Sequence, residues 1–131
     1  MSEPDLATVR SLLDALNHGA DEQMLELCDP DIELDFSRRL LDGEVYRGHD
    51  GLLELIGGIR EIFDPIEITE EEAIDLGEHV LIVSAAALRG RSSGADTTAR
   101  GALVWTVVNG RVKRFCFYQS KEDALADLDA G

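Results

Sequence analysis

Positive charge is scarce in this chain. Twelve lysines and arginines stand against 27 aspartates and glutamates in 131 residues, for a formal net charge of −15. A surface this acidic repels phosphate backbones and anionic lipid headgroups. No Lys/Arg cluster interleaved with aromatics offsets it, so neither nucleic acid nor a membrane is an expected partner. Cysteine is nearly absent too. Cys28 and Cys116 are isolated, with no CxxC pair and no Cys/His set, so both read as small core residues and no metal site is expected. No run approaches the ~20 apolar residues of a membrane span. The opening MSEPDLATVR is acidic and lacks a signal-peptide core. The expected setting is cytoplasmic and reducing. P-loop, GxGxxG, nucleophile-elbow and HExxH motifs are all missing, so nucleotide, acyl-transfer and zinc-protease chemistry lack support and no cofactor is expected.

What is present is enough apolar material, 44% of residues, for one domain over 1–131 with a core of its own. Leu6, Val9, Leu12, Leu13 and Leu16 recur at helical spacing, with Ser2 as cap and Pro4 just inside the start. Asn17-His18-Gly19 ends that helix. A short second helix is expected from Asp21 to Cys28, stopped by Asp29-Pro30. Asp31 to Phe36 alternates: Ile32, Leu34 and Phe36 point one way, Glu33 and Asp35 the other. Ser37 to Gly48 reads as a loop. A third helix starts near Asp50, and its Gly57-Gly58 pair should cost roughly 1 kcal/mol per glycine relative to alanine. Close packing on the sheet, or a gap left for a ligand, would compensate.

A strand meander follows. Ile66 to Leu76 is one strand, in which Glu70-Glu71-Glu72 marks a bulge or an edge. Val80 to Arg89 and Thr97 to Val108 are the next two. Asn109-Gly110 is a strong hairpin signal. Arg111 to Gln119 is the last strand, and Lys121 to Leu128 a short closing helix. Helices first and strands later give an α+β class: a curved antiparallel sheet of four to five strands, covered by three helices. Parity sets Phe115 and Phe117 on one face of the last strand and Cys116 and Tyr118 on the other. A sheet apolar on both faces needs a second cover, so a homodimer through the outer sheet face is expected.

The order of several short motifs resembles a known family. They are Leu16-Asn17-His18-Gly19 with Asp21, Cys28-Asp29-Pro30-Asp31-Ile32-Glu33, Tyr46-Arg47-Gly48 with Gly51, and Ala73-Ile74-Asp75-Leu76-Gly77. Val104-Trp105-Thr106-Val107, Asn109-Gly110-Arg111-Val112 and Phe115-Cys116-Phe117-Tyr118 complete the set. The chain resembles the SnoaL-like, ketosteroid-isomerase-like group of the nuclear-transport-factor-two-like superfamily. The resemblance implies a cone-like α+β barrel with a deep pocket, and usually dimers. It does not choose a reaction, because such folds carry isomerases, cyclases, dehydratases, hydrolases and non-catalytic modules.

The resemblance puts Asp35 at the position of a general base. A carboxylate in an apolar pocket has a raised pKa and can take a proton from carbon. Strict alternation, however, puts Asp35 with Glu33 on the polar face, and only a bend at the strand end would turn it inward. The isomerase pattern also needs two donors for an enolate oxygen; those positions hold Leu12 and Leu103. A dehydratase-type His/Asp pair has little support, since His18 and His79 fall in turns and His49 beside Asp50 reads as a helix start. An epoxide-hydrolase-type Asp–Arg–Asp set would use Arg100 against Asp35, with Asp96 nearby. Arg38, Arg39 and Arg100 read more simply as rim cations. Tyr46, Phe63, Leu103, Trp105, Phe115, Phe117 and Leu12 are the candidate pocket wall, suited to a flat apolar molecule. Two functions follow: a cofactor-independent isomerase, cyclase or hydrolase using Asp35, or a non-catalytic ligand-binding or dimerising module.

Overall fold

The computed structural model describes residues 2–37 and 44–130. Arg38 and Arg39, and half of the expected loop, lie outside the described residues. Four helices and six strands run in the order α1 (Ser2–Asn17), α2 (Asp21–Glu26), β1 (Cys28–Asp35), β2 (Val45–Arg47), α3 (Gly48–Ile62), β3 (Phe63–Asp75), β4 (His79–Gly90), β5 (Asp96–Val108), β6 (Arg111–Tyr118) and α4 (Lys121–Ala130). The expected cap, Ser2, is itself the first helical residue.

The strands form one sheet in the order β2-β1-β6-β5-β4-β3. The expected α+β class with a curved, mostly antiparallel sheet holds, but the sheet has six strands where four to five are expected, and it differs from the expectation in two places. Val45–Arg47 is a short strand where a loop is expected, because Leu34 finds Tyr46 as its antiparallel neighbour. And β1 runs parallel to β6, with Asp35 beside Cys116. Parallel partners far apart in the chain leave no local signal. The acidic run does both things expected of it: β3 is an edge strand, and its register shifts between Glu70 and Glu72. Asn109 (φ 54°) and Gly110 (φ 78°) are both left-handed, as a tight type I′ hairpin requires.

The inner face of the sheet carries the main core: Ile32 and Leu34 of β1, Val80 and Ile82 of β4, Leu103, Trp105 and Val107 of β5, and Val112 and Phe115 of β6. Val9, Leu12 and Leu13 of α1 and Leu52 and Ile56 of α3 close over it. Polar bonds pin the helices in place. The Asn17 amide donates to the Ile68 carbonyl at 2.9 Å and accepts from the Ile68 N–H at 2.8 Å. Arg60 of α3 grips Asp21 of α2 with two bonds of 3.0 Å. The outer face holds Leu81, Ala102, Val104, Cys116 and Tyr118, packed under Ala124, Leu125 and Leu128 of α4. The chain's own last helix thus covers this apolar end of the outer face.

Candidate functional site

Alternation continues unbroken through the end of β1, and this decides where its side chains go. Ile32, Leu34 and Phe36 join the inner core. Asp35 is on the outer face, 5% exposed. No bend turns it inward. Its Oδ2 accepts from Arg114 Nη2 at 2.8 Å. Its Oδ1 accepts from the Ser37 amide at 2.8 Å and the Ser37 hydroxyl at 2.5 Å. Arg114 also donates to Glu33 at 3.3 Å, and Glu33 accepts from Arg47 at 3.0 Å. The outer face of β2, β1 and β6 therefore carries an ion-pair ladder of Arg47, Glu33, Arg114 and Asp35.

Arg100 is not in this ladder, contrary to the expected approach to Asp35. Asp35 lies opposite Cys116, and Cys116 opposite Val104. Arg100 is therefore two strands away and four residues further along β5, about 13 Å along the strand direction alone. It pairs with Glu71 at 3.2 Å, and Asp96 pairs with Arg89 at 2.9 Å. The parallel β1–β6 pairing makes Arg114 the cation that meets Asp35 instead. His49 and His79 serve as joints. His49 Nε2 lies 3.0 Å from the Cys28 carbonyl and ties α3 to β1. His79 Nδ1 lies 2.9 Å from the Thr106 hydroxyl.

The inner face gathers the aromatics. The chain has four phenylalanines, two tyrosines and one tryptophan, and five of these form one contiguous set. Trp105 and Phe115 lie with ring centroids 4.7 Å apart. Phe115 meets Phe36 at 5.4 Å. Phe36 stacks on Phe117 at 5.7 Å and meets Tyr46 edge-on at 6.1 Å. Phe117 packs against bare backbone: a Cβ at Gly101 would stand 2.6 Å from its ring. Leu12 and Leu103 are buried in the same core. Phe63 belongs elsewhere, on the wall of a surface groove. Phe36 is the member absent from the expected wall, although its alternation with Ile32 and Leu34 signals it.

That groove, of about 660 Å³, runs beside α3 between Tyr46 and Phe63, along Leu53, Gly57, Gly58 and Ile62. Tyr46 belongs both to the groove and to the aromatic set. A Cβ on Gly57 or Gly58 would meet nothing within 4 Å. Close packing on the sheet is thus not the reason for this glycine pair; they leave open space along the groove.

Electrostatics separate the two faces further. Apart from Tyr118 and Trp105, the buried polar side chains among the described residues are Asp35 and Ser84. Ser84 lies on the inner face beside Gly101. Burial pushes the Cys28 thiol up to about 12. Burial, together with its 2.5 Å bond to Asp127, raises the Tyr118 hydroxyl as well. No group of three or more metal-ligating side chains occurs among the described residues.

Comparison with known proteins agrees with this layout. No curated protein matches the chain. A nuclear-transport-factor-two-like protein of unknown function from Burkholderia pseudomallei is 18% identical, with a TM-score of 0.76 over 95% of this chain and 96% of that one. A putative SnoaL-like polyketide cyclase from Jannaschia is also 18% identical, with a TM-score of 0.76 over 97% and 90%. A Mycobacterium tuberculosis protein solved in complex with estradiol-17β-hemisuccinate is 16% identical, with a TM-score of 0.76 over 91% and 95%. These likenesses establish the fold. The SnoaL-like domain pattern matches residues 9–115, and the chain belongs to the SnoaL-like domain family.

Proposed function

We propose that this protein binds a flat, neutral, apolar small molecule against the inner face of its sheet, entering beside α3. The observation that carries the reading is the contiguous aromatic set, Trp105, Phe115, Phe36, Phe117 and Tyr46, which shares Tyr46 with the groove. Stacked and edge-on rings offer large apolar area at defined geometry. Estradiol-17β-hemisuccinate, held by one structural neighbour, joins a flat apolar ring system to a carboxylate tail; the ring system supports the reading by analogy.

Ligand binding without catalysis fits better than an Asp35-dependent proton transfer. To act as base, Asp35 would have to leave Arg114 and cross from the outer face to the inner one. Leu12 and Leu103, at the donor positions of the isomerase pattern, offer nothing to an enolate oxygen. A homodimer through the outer face would use its polar end, with Glu33, Arg47 and Arg114, because α4 occupies the apolar end.

Titration with the neutral dye N-phenyl-1-naphthylamine tests this. Binding should saturate at one dye per chain. Phe36→Ala should weaken it about tenfold, a loss of about 1.4 kcal/mol, and Leu125→Ala on the outer face should leave it unchanged. Loss of binding in Leu125→Ala but not in Phe36→Ala would overturn the proposal.

A further inference from the structure

One polar atom is buried on the inner face without a partner. Trp105 Nε1 is shielded from solvent and has no acceptor among the described residues. Its residue is 6% exposed. A buried donor left without an acceptor bears its desolvation cost without return, and such groups are rare in folded proteins. Trp105 lies in register between Val80 of β4 and Phe115 of β6. All three belong to the inner core, so local backbone geometry does not aim the indole at a polar side chain.

The chemistry of this atom restricts its partner. Indole nitrogen donates and cannot accept, so the complement is an acceptor oxygen. A carboxylate or phosphate is a poor candidate. The chain carries a net charge of −15, and no lysine or arginine is among the buried side chains described. A neutral carbonyl meets both conditions. Phe115 lies beside the indole, its ring centroid 4.7 Å away, so a ligand oxygen at Nε1 would bring its ring near this aromatic pair.

We infer that Trp105 Nε1–H is the recognition donor of the site, selecting flat aromatic ligands that carry a carbonyl oxygen over the corresponding hydrocarbons. The inference rests on the inner face being the ligand site. It adds a specificity that an all-apolar wall would not have: such a wall prefers the hydrocarbon, because burying an unpaired carbonyl is costly.

Fluorene and 9-fluorenone differ only in that carbonyl, and displacement of N-phenyl-1-naphthylamine measures both. The wild type should bind fluorenone about fivefold more tightly than fluorene, the range expected of one neutral hydrogen bond. Trp105→Phe keeps an aromatic ring and should reverse the order. Trp105 is the only tryptophan, so its indole N–H gives a single proton–nitrogen correlation in NMR spectra. That signal should move downfield with fluorenone and not with fluorene, a readout that needs no variant to fold. Equal binding of the two ligands with an unmoved indole signal would overturn the inference while leaving the binding site standing. Failure of both ligands to displace the dye would overturn the site and the inference together.

Discussion

Asp35 and Phe36 are neighbours in the chain and work on opposite faces of the sheet. Asp35 accepts a 2.8 Å bond from Arg114 outside, while Phe36 stacks at 5.7 Å on Phe117 inside. The position that resembles a catalytic base thus carries an ion pair, and the residue after it faces the aromatic set.

Asp35→Asn should therefore act on stability and not on ligand binding. Asn keeps an oxygen for Arg114 but removes the charge opposite it, in a pair whose aspartate is buried and whose arginine is half-buried, a loss of about 1 kcal/mol. Urea unfolding should show that loss, and dye affinity should stay within twofold of wild type. A stable Asp35→Asn protein that had lost binding would place Asp35 in the site instead.

Two glycines should respond in opposite directions. Gly58→Ala adds a methyl in open space on a helix and should stabilise by about 1 kcal/mol through helix propensity. Gly101→Ala drives a methyl into the Phe117 ring, 2.6 Å away. It should cost about 1–3 kcal/mol as overpacking and displace Phe117 from Phe36, weakening dye binding. Thermal unfolding and the dye titration check both.

Alkali should find the Cys28 thiol. Its folded value is pushed up from 9.0 to about 12 by burial. A raised folded value means that the contribution is complete below pH 9 and lost as pH rises, since the unfolded thiol ionises first. By pH 10.5 this amounts to about 2 kcal/mol. Tyr118, also raised, adds to the loss above its ordinary range near 10. Urea midpoints at pH 7 and pH 10.5 should fall less far apart in Cys28→Ala than in wild type. An equal fall in both proteins would remove Cys28 as a source.

Much of the architecture was legible because it follows local periodicity. The spacing of Leu6, Val9, Leu12, Leu13 and Leu16, the alternation of Ile32, Leu34 and Phe36, and Asn109-Gly110 each fixed an element without tertiary information. The bulge at Glu70 to Glu72 was legible for the same reason, since consecutive charges cannot all share one side of a strand. The β1–β6 pairing was not. It joins residues some eighty positions apart, and with it went the choice of Arg114 over Arg100 as the partner of Asp35. The covering of the outer face by α4 was missed although the helix itself was expected. Its apolar residues, Ala124, Leu125 and Leu128, are few, and nothing local says which surface they meet. Phe36 was visible in the alternation, but its place among the aromatics depends on where β1 sits in the sheet.

The central claim is that ligand lies on the inner face, and methyl NMR during titration with N-phenyl-1-naphthylamine tests it most directly. Leu12, Leu34, Leu52 and Leu103 report from the inner core, and Leu81, Val104 and Leu128 from the outer one. The account predicts saturating shifts in the first set with the second unmoved. Shifts confined to Leu81, Val104 and Leu128 would contradict it.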